Sequence, residues 1–88
     1  MNTLYIVNRI PKKDEDWFEI CHTFDKNEAI DKAYNDWNHL TPKEQGNYSV
    51  ELFGYHTAAE TAEEAYEEII ENTCFLPDPD ICEELYSK

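Results

Sequence analysis

The sequence predicts an α+β fold in which two helices cover a three-stranded antiparallel sheet. Alternating β-branched and aromatic residues indicate strands over 3–10, 16–24 and 47–56. Apolar residues at helical spacing indicate one helix that begins after a capping pattern at 25–28, and a second over 57–72. The order β-β-α-β-α, with a hairpin first and a helix that crosses back to the third strand, predicts the strand order 2-1-3.

Length and composition predict a single domain over residues 1–88. A chain of this length builds one core, and 41% hydrophobic residues are enough to form it. The formal net charge of −13 excludes electrostatic attachment to nucleic acid or to anionic membranes. Since neither an export signal nor a bilayer-spanning apolar run is present, we expect a cytoplasmic protein with reduced cysteines.

The alternation within the strands assigns side chains to the two faces of the predicted sheet. Beneath the first helix we expect apolar side chains of the first and third strands, namely Leu4, Ile6, Ile10, Tyr48, Val50 and Leu52. The opposite face is too apolar to be simply solvated, since it would carry Tyr5, Val7, Trp17, Phe53 and Tyr55. Either the second helix packs there, or this face meets a partner or a second copy of the chain.

The connecting segments carry signals of their own. Thr41-Pro42-Lys43-Glu44 places a capping residue before proline, which predicts one short helical turn that Gly46 ends. Pro77 and Pro79 then break the chain after the second helix. The run Asp80-Ile81-Cys82-Glu83 predicts a final short helical turn that ends near Tyr86.

The helix predicted over 57–72 has one apolar side and one acidic side. The apolar side carries Ala58, Ala62, Ala65, Tyr66, Ile69 and Ile70. The other side carries six glutamates with no Lys or Arg among them: Glu60, Glu63, Glu64, Glu67, Glu68 and Glu71. They span about 16 Å at ~1.5 Å per residue, so their charge density approaches that of one strand of duplex DNA. This side is either a solvated surface or a phosphate-like surface that a basic partner recognises.

The sequence contains no arrangement typical of catalysis or of metal binding. The three cysteines, Cys21, Cys74 and Cys82, lack the paired spacing of a zinc site. Cys21 and His22 are neighbours on a predicted strand, so they point to opposite faces and cannot form a dyad. The only glycines, Gly46 and Gly54, do not form a phosphate-binding loop. We therefore expect a protein that is not an enzyme and that needs neither a metal nor a cofactor.

Two resemblances bear on function. The residues Thr23-Phe24-Asp25, Ala29-Ile30, Ala33, Trp37-Asn38-His39-Leu40-Thr41 and Glu44 resemble a segment of small uncharacterised proteins of Firmicutes phages and mobile elements. That likeness covers about residues 17–56. In size and acidity the whole chain is similar to phage-encoded anti-CRISPR proteins and anti-restriction DNA mimics. This second resemblance implies a stoichiometric inhibitor that acts without a cofactor in the cytoplasm of a bacterial host.

We therefore expect an acidic protein that binds and blocks the basic nucleic-acid-binding surface of a host protein, such as a CRISPR-Cas or restriction nuclease. The six glutamates would supply the charge, and Tyr5, Trp17, Phe53 and Tyr55 would add apolar anchor area. Such a protein binds no nucleic acid directly and no membrane. The alternative is a small structural or regulatory module that forms a homodimer through its sheet face, with the acidic helix keeping the assembly in solution.

Overall fold

The chain folds as an α+β protein in which a four-stranded antiparallel sheet lies between helices. The computed structural model describes residues 1–13, 15–71 and 77–88. The strands are β1 (Asn2–Pro11), β2 (Phe18–Thr23), β3 (Tyr48–Thr57) and β4 (Ile81–Tyr86). The helices are α1 (Lys26–His39), α2 (Pro42–Gln45) and α3 (Ala62–Ile70). No helix within the described ranges is both long and apolar enough to cross a membrane.

The sheet has the order β2-β1-β3-β4, so the predicted arrangement of the first three strands is confirmed. Strand β1 is central and pairs along its whole length with β3, from Asn2 opposite Thr57 to Pro11 opposite Tyr48. On its other side β1 pairs with β2, and a β-bulge follows Val7. The strand order puts β2 and β4 at the two edges of the sheet.

The predicted number of strands is wrong, because the last segment is a strand rather than a helical turn. Ile81 lies opposite Gly54 of β3, and it packs so closely that a Cβ built on Gly54 would lie 2.9 Å from the Cβ of Ile81. The start of β4 is also fixed by Asp80, whose backbone N–H donates to the carbonyl of Gly54 at 2.9 Å. The Asp80 carboxylate in turn accepts from the backbone N–H of His56 at 2.8 Å.

The two larger helices cover opposite faces of the sheet. Helix α1 packs through Ala29 and Ala33 onto a cluster that includes Val7, Val50 and Leu52. Helix α3 packs on the other face through Ala65, onto the cluster of Leu4, Ile6, Phe53 and Tyr55. All three alanines are fully buried. Small side chains at these positions let each helix lie close to the strands.

The predicted assignment of side chains to faces is therefore wrong for one of the two paired strands. Residues directly opposite each other in an antiparallel pair share a face. Val7 lies opposite Leu52, and Ile6 lies opposite Phe53. Leu4 and Ile6 consequently belong beneath α3, together with Phe53 and Tyr55. Helix α3 thus packs on the apolar face that the sequence left unassigned and covers part of it.

The helix starts follow from capping. The Asp25 side chain accepts from the backbone N–H groups of Asn27 and Glu28 and begins α1. The predicted capping box at Thr41 and Glu44 is present and begins α2. Helix α3 starts later than predicted, since Thr57 still belongs to β3 and the N-cap is Thr61, whose side chain accepts from Glu64 N–H.

Candidate protein-binding surface

The acidic side of α3 points away from the sheet. All six glutamates, Glu60, Glu63, Glu64, Glu67, Glu68 and Glu71, are exposed. The helix attaches through its apolar side, where Ala65 is buried and Ala62, Tyr66 and Ile69 are partly buried. Packing of this stripe onto the sheet orients the carboxylates towards solvent.

The acidic helix is shorter than the sequence indicates. Four of the six glutamates lie within Ala62–Ile70, which is about 13 Å long at ~1.5 Å per residue. Glu60 precedes the N-cap, and Glu71 is the C-cap residue. The rigid part of the row therefore carries four charges, with one further carboxylate flanking it at each end.

These carboxylates have few basic neighbours. Within the part of the chain that the structure describes, no Lys or Arg nitrogen lies within 4.0 Å of any of the six. The closest basic group is the ring of His22, whose Nε2 lies 3.7 Å from Oε1 of Glu63. The Glu63 side chain is still 79% exposed. The negative charge of α3 is thus left available to a partner.

The helix is held to the edge of the sheet by an aromatic contact. The ring of His22 on β2 stacks on that of Tyr66, with centroids 4.1 Å apart and planes within 6°. Oε2 of Glu19 lies 3.3 Å from Nδ1 of His22. The pKa of the Tyr66 hydroxyl is raised, first by burial and then by the neighbouring Glu19 carboxylate.

The opposite face of the molecule pairs more of its charges. Arg9 forms an ion pair with Asp36 of α1 at 3.1 Å. Its guanidinium also lies over the rings of Phe18 and Tyr48, at 4.6 and 5.2 Å from their centroids. Burial outweighs the attraction of Arg9 and raises the pKa of Asp36. Basic side chains therefore meet carboxylates beneath α1, in contrast to the exposed row on α3.

The predicted apolar anchors are separated by the fold. Phe53 and Tyr55 are only 7% and 5% exposed, because both belong to the buried cluster on the α3 side of the sheet. Tyr5 is partly buried and packs with the cluster on the α1 face. Only Trp17 is open to solvent, with 53% of its surface exposed. Phe53 and Tyr55 cannot supply anchor area in this fold, and α3 covers part of the face through which a homodimer would form.

A second acidic element lies on the α3 face, and the pairing of its two residues was not predicted from the sequence. Glu51 of β3 and Glu84 of β4 lie directly opposite each other. Among the described residues, the Glu51 carboxylate accepts side-chain hydrogen bonds from Ser49, with Oγ at 3.4 Å, and from Cys82, with Sγ at 4.0 Å. Like charges in this position destabilise a sheet. The pairing could not be found without β4, which the sequence did not predict as a strand.

Residues 1–13, 15–71 and 77–88 contain no group of three His, Cys, Asp or Glu side chains placed to hold a metal ion. Cys74 lies outside these described residues. Comparison of the chain with family models, with curated proteins and with solved structures finds no match in any of the three. The geometry of the α3 face is therefore the basis for inferring function.

Proposed function

We propose that this protein binds the basic nucleic-acid-binding surface of another protein through the acidic side of α3, and thereby competes with nucleic acid. The partner class would be a nuclease such as a CRISPR-Cas or restriction enzyme. The observation that carries the proposal is the exposed row of Glu63, Glu64, Glu67 and Glu68 on one short helix. No lysine or arginine of the described chain lies within ion-pair distance of the row.

The charge arrangement suits a groove built for phosphates. Side chains three and four residues apart lie on the same side of a helix, so the four carboxylates form a continuous strip. A lysine or arginine that binds a phosphate can pair with a carboxylate through similar charge-assisted hydrogen bonds. Association should be fast and should weaken with salt, because it is steered by opposite charges.

The experiment is displacement of DNA from purified CRISPR-Cas and restriction nucleases. A fluorescently labelled duplex is bound to each nuclease, and its anisotropy is followed as this protein is added. We expect displacement from at least one nuclease, with an apparent affinity that falls between about 50 mM and about 200 mM salt. The double variant Glu64→Lys/Glu67→Lys should bind at least about tenfold more weakly, which corresponds to ~1.4 kcal/mol.

The matched control is Glu28→Lys/Asp31→Lys, which makes the same change in net charge at exposed positions of α1. It should retain most of the affinity, since those residues lie on the other side of the sheet. Circular dichroism checks that both variants are folded. Equal binding by the α3 variant and the native protein would refute the proposal, as would the absence of displacement from every nuclease tested.

A further inference from the structure

The α3 face carries an aromatic platform beside its second acidic element. Trp17 precedes β2 and stacks on Phe53, with ring centroids 5.9 Å apart and planes within 17°. Phe53 is buried in the cluster beneath α3. The indole is thus fixed from below by a core residue, while 53% of the tryptophan stays open to solvent. A rigid, half-exposed aromatic ring is available for contact at little entropic cost.

Carboxylates flank this platform on the same face of the sheet. Glu51 lies two residues before Phe53 on β3, so the two side chains share a face and their Cα atoms are about 6.6 Å apart. Glu84 lies directly opposite Glu51. Cys82, opposite Phe53, places its Sγ 4.0 Å from the carboxylate of Glu51, so it also faces this side. The like charges of Glu51 and Glu84 would be relieved by a cation from a partner.

We propose that Trp17, Glu51 and Glu84 form an arginine-binding subsite of the docking surface, so that the basic partner engages this face through arginine rather than lysine. This inference rests on the proposed function, because it takes a basic protein surface as the occupant of the α3 face. It extends the contact area beyond the helix onto β3 and β4.

The chemistry of the two cations explains the preference. A guanidinium is planar, so it can stack on the exposed face of an indole while its N–H groups donate to carboxylates at the side. The ammonium of lysine is a compact and strongly hydrated charge that gains less from such a surface. Two carboxylates beside an aromatic plane therefore favour the guanidinium.

The test uses two capped peptides of equal charge, hexaarginine and hexalysine, titrated into the full chain by calorimetry. We expect hexaarginine to bind about five- to tenfold more tightly. Trp17→Leu keeps apolar contact with Phe53 but removes the aromatic plane, so the ratio of the two affinities should fall below about two. Trp17→Tyr restores a ring and should restore much of the preference.

The acidic half of the subsite is tested with matched charge removals. Glu84→Gln should weaken the binding of hexaarginine about threefold. Glu28 is an exposed glutamate of α1, and Glu28→Gln should change this affinity little. A Trp37→Phe background leaves Trp17 as the only tryptophan, so its fluorescence should change on addition of hexaarginine.

Two outcomes would overturn the subsite: equal affinity for the two peptides, or an unchanged ratio in Trp17→Leu. Failure of the subsite and failure of the proposed function are distinguishable. If Trp17→Leu removes the arginine preference while Glu64→Lys/Glu67→Lys leaves nuclease binding unchanged, the subsite stands and the role of α3 is refuted. If the α3 variant loses nuclease binding and the ratio of the two peptide affinities does not depend on Trp17, the role of α3 stands and the subsite is refuted.

Discussion

His22 and Tyr66 stack face to face, with ring centroids 4.1 Å apart, and so tie the edge strand β2 to the acidic helix α3. The contact is reinforced by Glu19, whose Oε2 lies 3.3 Å from Nδ1 of the imidazole. Helix α3 is otherwise held by small or partly buried residues, of which Ala65 is the only one fully buried. The stack is therefore an important part of its attachment.

Replacement of Tyr66 by leucine should destabilise the protein by about 1–2 kcal/mol, because it keeps apolar bulk but removes the aromatic stack and the hydroxyl. Urea unfolding measures the change, and amide hydrogen exchange should show increased opening of α3. The control is Tyr34→Leu, at a position that is 56% exposed, with an expected cost below about 0.5 kcal/mol. Equal costs at the two positions would contradict the importance of the stack.

The close approach of Ile81 to Gly54 gives a second prediction. Gly54→Ala would bring a new Cβ to 2.9 Å from the Cβ of Ile81, an atom too near the backbone to move freely. We expect a loss of about 1–3 kcal/mol from overpacking, with β4 losing hydrogen-exchange protection before the other strands. Gly46→Ala is the comparison. Gly46 is exposed, and the nearest atom to a Cβ at this position would be the backbone carbonyl oxygen of Lys43, at 3.3 Å. A cost at Gly46 as large as that at Gly54 would exclude close packing as the reason.

Tyr55 should make stability fall at high pH. Burial, followed by the charges of Cys82, Asp78 and Asp80, raises the pKa of Tyr55 from 10.0 to about 12. An unfolded tyrosine loses its proton near pH 10, so alkaline pH stabilises the unfolded state first and folding stability declines between pH 10 and about 12. Two pKa units correspond to at most about 2.7 kcal/mol.

The phenylalanine variant isolates this contribution. Tyr55→Phe also loses the hydrogen bond that the hydroxyl donates to the carbonyl of Pro77 at 3.0 Å, so it should be somewhat less stable at neutral pH. Its unfolding free energy, measured by urea at several pH values from 9 to 12, should nevertheless decline less than that of the native protein. Parallel profiles for the two proteins would count against the burial of a protonated Tyr55.

Local signals predicted the elements that depend on local chemistry. Asp25 and Thr41 begin helices where the capping patterns indicate, and the first three strands and their order follow from alternation. The strand β4 could not be predicted in this way. Ile81 and Leu85 are spaced as on a helix, and a bulge opposite Val50 and Glu51 interrupts the regular alternation of β4.

The candidate protein-binding surface could be predicted only in part. Exposure of the glutamates follows from the 3.6-residue period, since the apolar stripe of α3 must face a core. Which β1 residues share a face with Phe53 and Tyr55 depends on the register between β1 and β3. Alternation within one strand does not determine that register. Trp17 and Glu51 come together with Phe53 and Glu84 only through contacts between residues distant in sequence.

The helices pack onto the two faces of the sheet through Ala29, Ala33 and Ala65. The residues that α3 needs for folding are therefore different from those on its exposed acidic side. Only the inner stripe of α3 is constrained by the scaffold, so its outward glutamates can be exchanged one at a time at little cost to the core. Under the proposed function, the acidic side of α3 can therefore change with its target while the fold that presents it is retained.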